Sequence, residues 1–164
     1  MLKFENSIRI QRPIAEVFTF LSDFENLPKW NYYVLKVSKH STGPIGIGTT
    51  YHQVRKTDEQ DFRIIELEQN HVLTIKTLPQ SSPNLQMKFT LYDEGNTTLI
   101  QDEWKLDTGK PALLEKLAAG KIKSAVAENL AKLKELLEEG RVILQDGREI
   151  HHNKPSPARR VPGR

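Results

Sequence analysis

An acidic residue stands where apolar ones belong. In the run TTLIQDEWKL, residues 97–106, Thr98, Ile100, Asp102, Trp104 and Leu106 share one side of an extended chain, and Asp102 is the acid among them. A carboxylate on an otherwise apolar face costs several kcal/mol if buried and unpaired, so it must find a partner, raise its pKa or touch water. Such a group serves as a ligand anchor or as a general acid/base. Its structural alternatives are a wet rim or a bond to Gln53. Arg55 and Glu66 come next, because a cavity orients its ligand with only a few placed polar groups; they could equally pair with each other or reach the rim. Tyr51 offers a hydroxyl. Ile75, Met87, Phe89 and Trp104 are the apolar candidates for a binding wall, whereas Trp30, Tyr32 and Tyr33 fit core or mouth packing.

Other chemistries have less support. The chain has no cysteine, which removes thiol catalysis, disulfides and Cys-based metal sites together. The five histidines (His40, His52, His71, His151 and His152) do not pair with acidic residues at metal-site spacing, so neither a metal nor a cofactor is expected. No Gly-x-Ser-x-Gly elbow occurs. The loop Gly43 to Gly48 lacks the full Gly-x-Gly-x-x-Gly pattern and leads into a strand, without the helix N-terminus that would hold a phosphate.

The elements that must position these groups follow from hydrophobic period. Leu2 to Ile10 alternates as a first strand. Pro13 opens a helix with Val17, Phe18 and Leu21 on its apolar side, and Ser22 or Asp23 caps a second short helix ending before Pro28. Six further strands are predicted at 32–39, 49–56, 61–69, 71–78, 84–92 and 97–106, with turn residues between them. From Pro111 to Glu139, Leu114, Leu117, Ile122, Val126, Leu130, Leu133 and Leu137 form one helical stripe, capped by Gly140. Gly120 inside it predicts a kink or break, since glycine weakens a helix by about 1 kcal/mol relative to alanine.

Pairing parity then selects the faces. A turn at 93–96 pairs Leu91 with Thr98, Phe89 with Ile100, Met87 with Asp102 and Leu85 with Trp104, so two apolar faces chosen separately meet on one side. A turn at Gln69-Asn70 pairs Glu66 with Leu73, Ile64 with Ile75 and Phe62 with Thr77. A loop at 57–60 sets Arg55 opposite Phe62, Gln53 opposite Ile64 and Tyr51 opposite Glu66. The predicted binding face is therefore Tyr51, Gln53, Arg55, Glu66, Ile75, Met87, Phe89, Asp102 and Trp104 with their neighbours; a bulge would invert it locally.

The order of elements, with Pro13 before Ala15-Glu16-Val17-Phe18, then Asp23, Trp30 and Gly43-Pro44-Ile45-Gly46-Ile47-Gly48-Thr49, resembles the START-like, polyketide-cyclase/dehydrase and Bet v 1-like (SRPBCC) superfamily over about residues 2–139. The resemblance implies an α+β helix-grip fold: a curved, antiparallel, seven-stranded sheet around the long C-terminal helix, with a cavity between them and the Gly43–Gly48 loop over its mouth. It implies no single activity, because members include lipid carriers, hormone receptors, cyclases and quinone-binding proteins. The expected function is binding or carriage of a small hydrophobic molecule. A cyclase/dehydratase using Asp102, Arg55 or Tyr51 as acid/base groups is one alternative, and a protein-interaction module is another.

Two units are expected, a ligand-binding domain over 1–140 and a basic tail over 141–164 with a short hairpin around Asp146-Gly147. The tail holds six basic residues against two acidic ones in a chain of net charge +3, so the basic excess lies there and the body is near neutral. No aromatics interleave the tail's charges, and no nucleic-acid partner is expected. Residues from Asn153 on carry too few apolar groups to fold alone. No apolar run reaches the roughly 18 residues of a membrane span, and Met1 to Ile10 lacks a signal peptide's apolar block, which makes a cytoplasmic location the expectation.

Overall fold

Alternating burial governs the strands of the computed structural model, which describes residues 1–152. In chain order the elements are β1 (Leu2–Ile10), α1 (Ile14–Ser22), a 3₁₀ helix (Phe24–Lys29), β2 (Val34–Lys39), β3 (Thr50–Arg55), β4 (Glu59–Glu68), β5 (Val72–Thr77), β6 (Asn84–Asp93), β7 (Thr98–Asp107), α2 (Ala112–Glu139), β8 (Arg141–Ile143) and β9 (Glu149–His151). Strands β1 to β7 form one antiparallel sheet in the order β1-β7-β6-β5-β4-β3-β2. The architecture is the α+β helix grip: the sheet's concave face is buried against α1 and the long α2. The predicted tail from Asn153 lies outside the described residues.

Face assignment survives although two registers move. β6 and β7 pair Asp93 with Thr98, Leu91 with Ile100, Phe89 with Asp102 and Met87 with Trp104, two residues from the expected register. β3 and β4 are joined by a tighter turn, which pairs Tyr51 with Phe62 and Gln53 with Gln60. An even displacement keeps every side chain on its face, because the side-chain period of a strand is two. Leu85, Met87, Phe89, Ile100 and Asp102 are accordingly buried and Glu103 and Lys105 exposed, while Gln86, Lys88, Gln101 and Trp104 are half-buried.

Glu66 is the correction. Phe62–Thr77 and Ile64–Ile75 pair as expected, but a bulge between Ile64 and Glu66 sets Glu66 opposite Thr74 instead of Leu73. One extra residue inverts the parity beyond it. Glu66 therefore faces the convex side, where it accepts from Thr74 Oγ1 at 2.8 Å and lies 3.8 Å from Lys88 Nζ.

Three helical expectations also change. The 3₁₀ helix, capped by Asp23 through the Glu25 amide, contains Pro28 and runs on to Lys29. α2 passes unbroken through Gly120. Its stripe is buried only from Val126 on: Leu114 and Leu117 are 52% and 73% exposed, with Leu113 beside them, whereas Leu130, Leu133, Leu136 and Leu137 are sealed in the core. Gly140 does end the helix, at φ 78°, with its N–H donating to Leu136 O. The neighbouring carbonyls of Leu137 and Glu138 accept from the Arg12 guanidinium at 3.0 and 3.1 Å, so the chain leaving β1 locks the helix's C-terminus. The β8–β9 hairpin packs as part of the body, since Val142 and Leu144 belong to the main core. No helix among the described residues is long and apolar enough to cross a membrane.

This division of α2 gives a stability contrast. Leu133→Ala should cost about 2–5 kcal/mol, and Leu117→Ala less than about 0.5 kcal/mol, in urea unfolding followed by circular dichroism. Equal losses would mean that the first half of α2 packs as tightly as the second.

Candidate ligand cavity

Small residues make room where the leucine stripe gives out. Along the first half of α2, Ala118, Ala125 and Val126 face the sheet across a cavity of about 440 Å³, within the usual range for small-molecule sites. β3 to β7 supply the opposite wall, including Gln53, Ile75, Met87, Asp102 and Trp104, and Trp30 follows from the end of the 3₁₀ helix.

Asp102 is the anomaly in this wall. It is 1% exposed, and both carboxylate oxygens accept from a single donor, the Trp104 indole Nε1, at 3.0 Å. Trp104 can reach it because residues two apart share a strand face, and stacking on Phe4 at 5.5 Å holds the indole. Asp102's cross-strand neighbours, Asn6 and Phe89, bring no cation. Burial pushes its pKa up to about 7; the Trp104 N–H opposes the shift and the Glu103 charge adds to it. The expected bond to Gln53 is absent, because Gln53 pairs with Gln60 on another row of the sheet.

Gln53 instead begins a relay. Its Nε2 donates to Gln60 Oε1 at 2.9 Å, and Gln60 Nε2 donates to the Pro83 carbonyl at 3.2 Å. A carbonyl can only accept, so Pro83 fixes the direction of both amides and leaves Gln53 Oε1 unpartnered among the described residues. On α2, Asn129 lines the cavity and accepts from Gln145 Nε2 at 3.2 Å.

The predicted residues divide accordingly. Gln53, Arg55, Ile75, Met87, Asp102 and Trp104 line the cavity. Arg55 is tied to Asp58 by two bonds of 2.6 and 2.7 Å across the β3–β4 turn, and not to Glu66. Tyr51 and Phe89 point to the same side of the sheet but lie in the sealed core, off the cavity wall. Tyr51 stacks on Phe62 at 5.2 Å, its hydroxyl has no partner among the described residues, and burial first, then Asp23 and Glu25, push its pKa to about 12. The loop Gly43–Gly48 contributes nothing to the wall. Sequence reasoning missed Gln60, because residues 57–60 read as a loop. It also missed Ala118, Ala125 and Asn129, where two alanines a heptad apart were the available signal.

The chain matches the family described as polyketide cyclase / dehydrase and lipid transport over residues 1–138. It belongs to that family. No curated protein matches it in sequence. Among solved structures it is similar to a START superfamily protein from Mycobacterium smegmatis, at 17% identity and TM-score 0.66, with 82% of this chain covering 98% of that one. The Aha1 dimer from Colwellia psychrerythraea matches at 18% identity and TM-score 0.64, over 84% of this chain and 97% of that one. The di-domain ARO/CYC BexL of the BE-7585A biosynthetic pathway matches at 13% identity and TM-score 0.64, with 83% of this chain spanning 47% of it. At these identities the likeness is one of fold.

The buried acid makes stability depend on pH. Between the ordinary value of 3.8 and about 7 the native protein holds a proton on Asp102 that the unfolded chain has released. Stability should therefore fall as pH rises across that window, by up to about 4 kcal/mol at 1.36 kcal/mol per pKa unit. Asp102→Asn should flatten this dependence and raise the melting temperature at pH 8. An unchanged pH profile in the variant would show that Asp102 is not the group responsible.

Proposed function

We propose that this protein binds and carries a small apolar molecule in the cavity beneath α2, with Asp102 as its polar anchor. The observation that carries this reading is an apolar cavity of about 440 Å³ with one deeply buried carboxylate in its wall. Two or more converging titratable groups would favour an enzyme. The other ionisable side chains on the wall do not converge on Asp102: Arg55 is occupied by Asp58, and Tyr33 and Lys121 are exposed. Family membership supports the reading, since the family's description includes lipid transport.

One observation favours a second reading, a cyclase/dehydratase-type enzyme. A carboxyl with a pKa near 7 is suited to general acid/base work at neutral pH. Under carriage, Asp102→Asn alters affinity or its pH dependence and abolishes no turnover. A rate that collapses in this variant while binding persists would make the enzyme the better account.

The cavity itself is tested with the neutral fluorescent probe N-phenyl-1-naphthylamine. Ala125→Leu fills the space on the helix side without touching the sealed core, so it should weaken probe binding about tenfold or more while leaving the melting temperature within a few degrees. Native mass spectrometry should show an apolar molecule retained by wild-type protein and lost from Ala125→Leu. Equal probe binding by the two proteins would overturn the placement of the site.

A further inference from the structure

The polar anchor also states what it wants. A carboxylate offers about four lone-pair sites, and among the described residues both Asp102 oxygens share one indole N–H. Most of its accepting capacity is open. Among the described residues the groups around it leave the charge uncompensated: β1 brings Asn6, whose Nδ2 donates to Lys123 O, β6 brings Phe89, and α2 lines the opposite wall with Val126 and Asn129. Glu103 lies on the opposite face. The two cations on the cavity wall, Arg55 and Lys121, are respectively paired with Asp58 and exposed, and neither is among the charges that shift Asp102.

Trp104 lines the cavity beside Asp102. Trp30 lines it too, with its ring 6.4 Å from that of Phe89, the cross-strand partner of Asp102. An anion and two indoles on an apolar wall are complementary to a cation carried by an apolar body.

Resting on the carrier reading above, we propose that the cavity is selective for apolar amines, holding the ligand's ammonium on the Asp102 carboxylate and its hydrocarbon against Met87, Ile75 and Trp104. Removing one partner from a buried ion pair is costly because the remaining charge is left uncompensated. Above about pH 7 the folded protein already holds that lone charge desolvated, so an incoming ammonium meets an unscreened partner in place. An alcohol of the same shape gains one hydrogen bond, and a carboxylate ligand is repelled. Binding of an ammonium also favours ionised Asp102, so at pH near 7 it should expel protons from the site.

The test displaces bound N-phenyl-1-naphthylamine from the full-length protein at pH 8 with decylamine, decanol and decanoate, an amine of ordinary basicity being protonated there. Decylamine should bind about tenfold or more tighter than decanol, a difference of about 1.4 kcal/mol, and decanoate weakest. The amine's advantage should shrink as pH falls below 7. It should vanish in Asp102→Asn, with the probe's own affinity measured for each protein and the competitors ranked against it. Titration calorimetry at pH 7 in buffers of different ionisation enthalpy should show proton release with decylamine and none with decanol. These readouts on the wild-type protein stand even if the variant fails to fold.

A wild-type protein that binds the probe but takes decanol as well as decylamine, or releases no proton to the amine, overturns the amine inference and leaves carriage intact. An amine preference that persists in folded Asp102→Asn likewise overturns it. A wild-type protein that binds neither probe nor any of the three competitors overturns carriage itself.

Discussion

Everything in this molecule depends on how one helix is seated on one concave face. From Leu130 to Leu137 the α2 leucines fill the space over the sheet completely, together with Ile10, Phe62, Ile64, Leu73 and Phe89. The helix is fixed along its length by groups of β1 and the segment after it: Asn6 to the Lys123 carbonyl, Lys134 to the Arg9 carbonyl, and Arg12 to the last turn. These bonds hold α2 from Lys123 to its last turn, and its first half extends from that seat over the sheet. With alanine at 118 and 125 the gap remains open, and the cavity is the result. A cavity lined by large side chains gone missing would collapse or cost stability; one spanned by a clamped helix persists.

The same rigidity explains why a carboxylate survives inside. Asp102 stands on a strand with β1 on one side and β6 on the other, so it cannot move to water without breaking the sheet. Its alternatives are to hold a proton or to use the Trp104 N–H, and at neutral pH it does some of each. A leucine there would pack more favourably. A costly polar group kept in an otherwise apolar wall breaks the local packing rule, which supports the anchor role proposed for it.

Much of this was legible in the sequence because a strand has a period of two. The β6–β7 register was misplaced by two residues and β3–β4 by a tighter turn, yet Gln53, Met87, Asp102 and Trp104 kept their faces. Glu66 failed because a bulge is an odd displacement, and a single residue inserted at Ile65 leaves no signature in composition. Burial along α2 failed for a different reason. Periodicity says which residues share a side of a helix, not whether anything stands opposite that side, so Leu114 and Leu117 read like Leu130 although only the last is covered. Tyr51 and Phe89 were placed on the correct face but where core side chains close the space, Phe24 and Phe62 over Tyr51 and Trp30 beside Phe89. Face is set locally, whereas depth is set by what packs against that face.

The polar groups of the wall lie at separate places along the strands, and this bears on how a ligand can sit. Asp102 shares its row with Asn6, Phe89 and Leu73, inside the sheet. Gln53 and Gln60 share theirs beside the β3–β4 turn, next to the Arg55–Asp58 pair. The relay to the Pro83 carbonyl uses up both amide donors directed along it and leaves an oxygen, so this group also accepts. Acceptors at these two places, Asp102 the more deeply buried, with apolar residues between, suit a molecule whose donor lies at one end. Of the two positions the deeper is the stronger, because charge–dipole and charge–charge attraction grow as water is excluded. Under the proposed carriage, a ligand with a single donor group would enter with that group leading, towards Asp102, and trail its apolar body beneath Ala118 and Ala125.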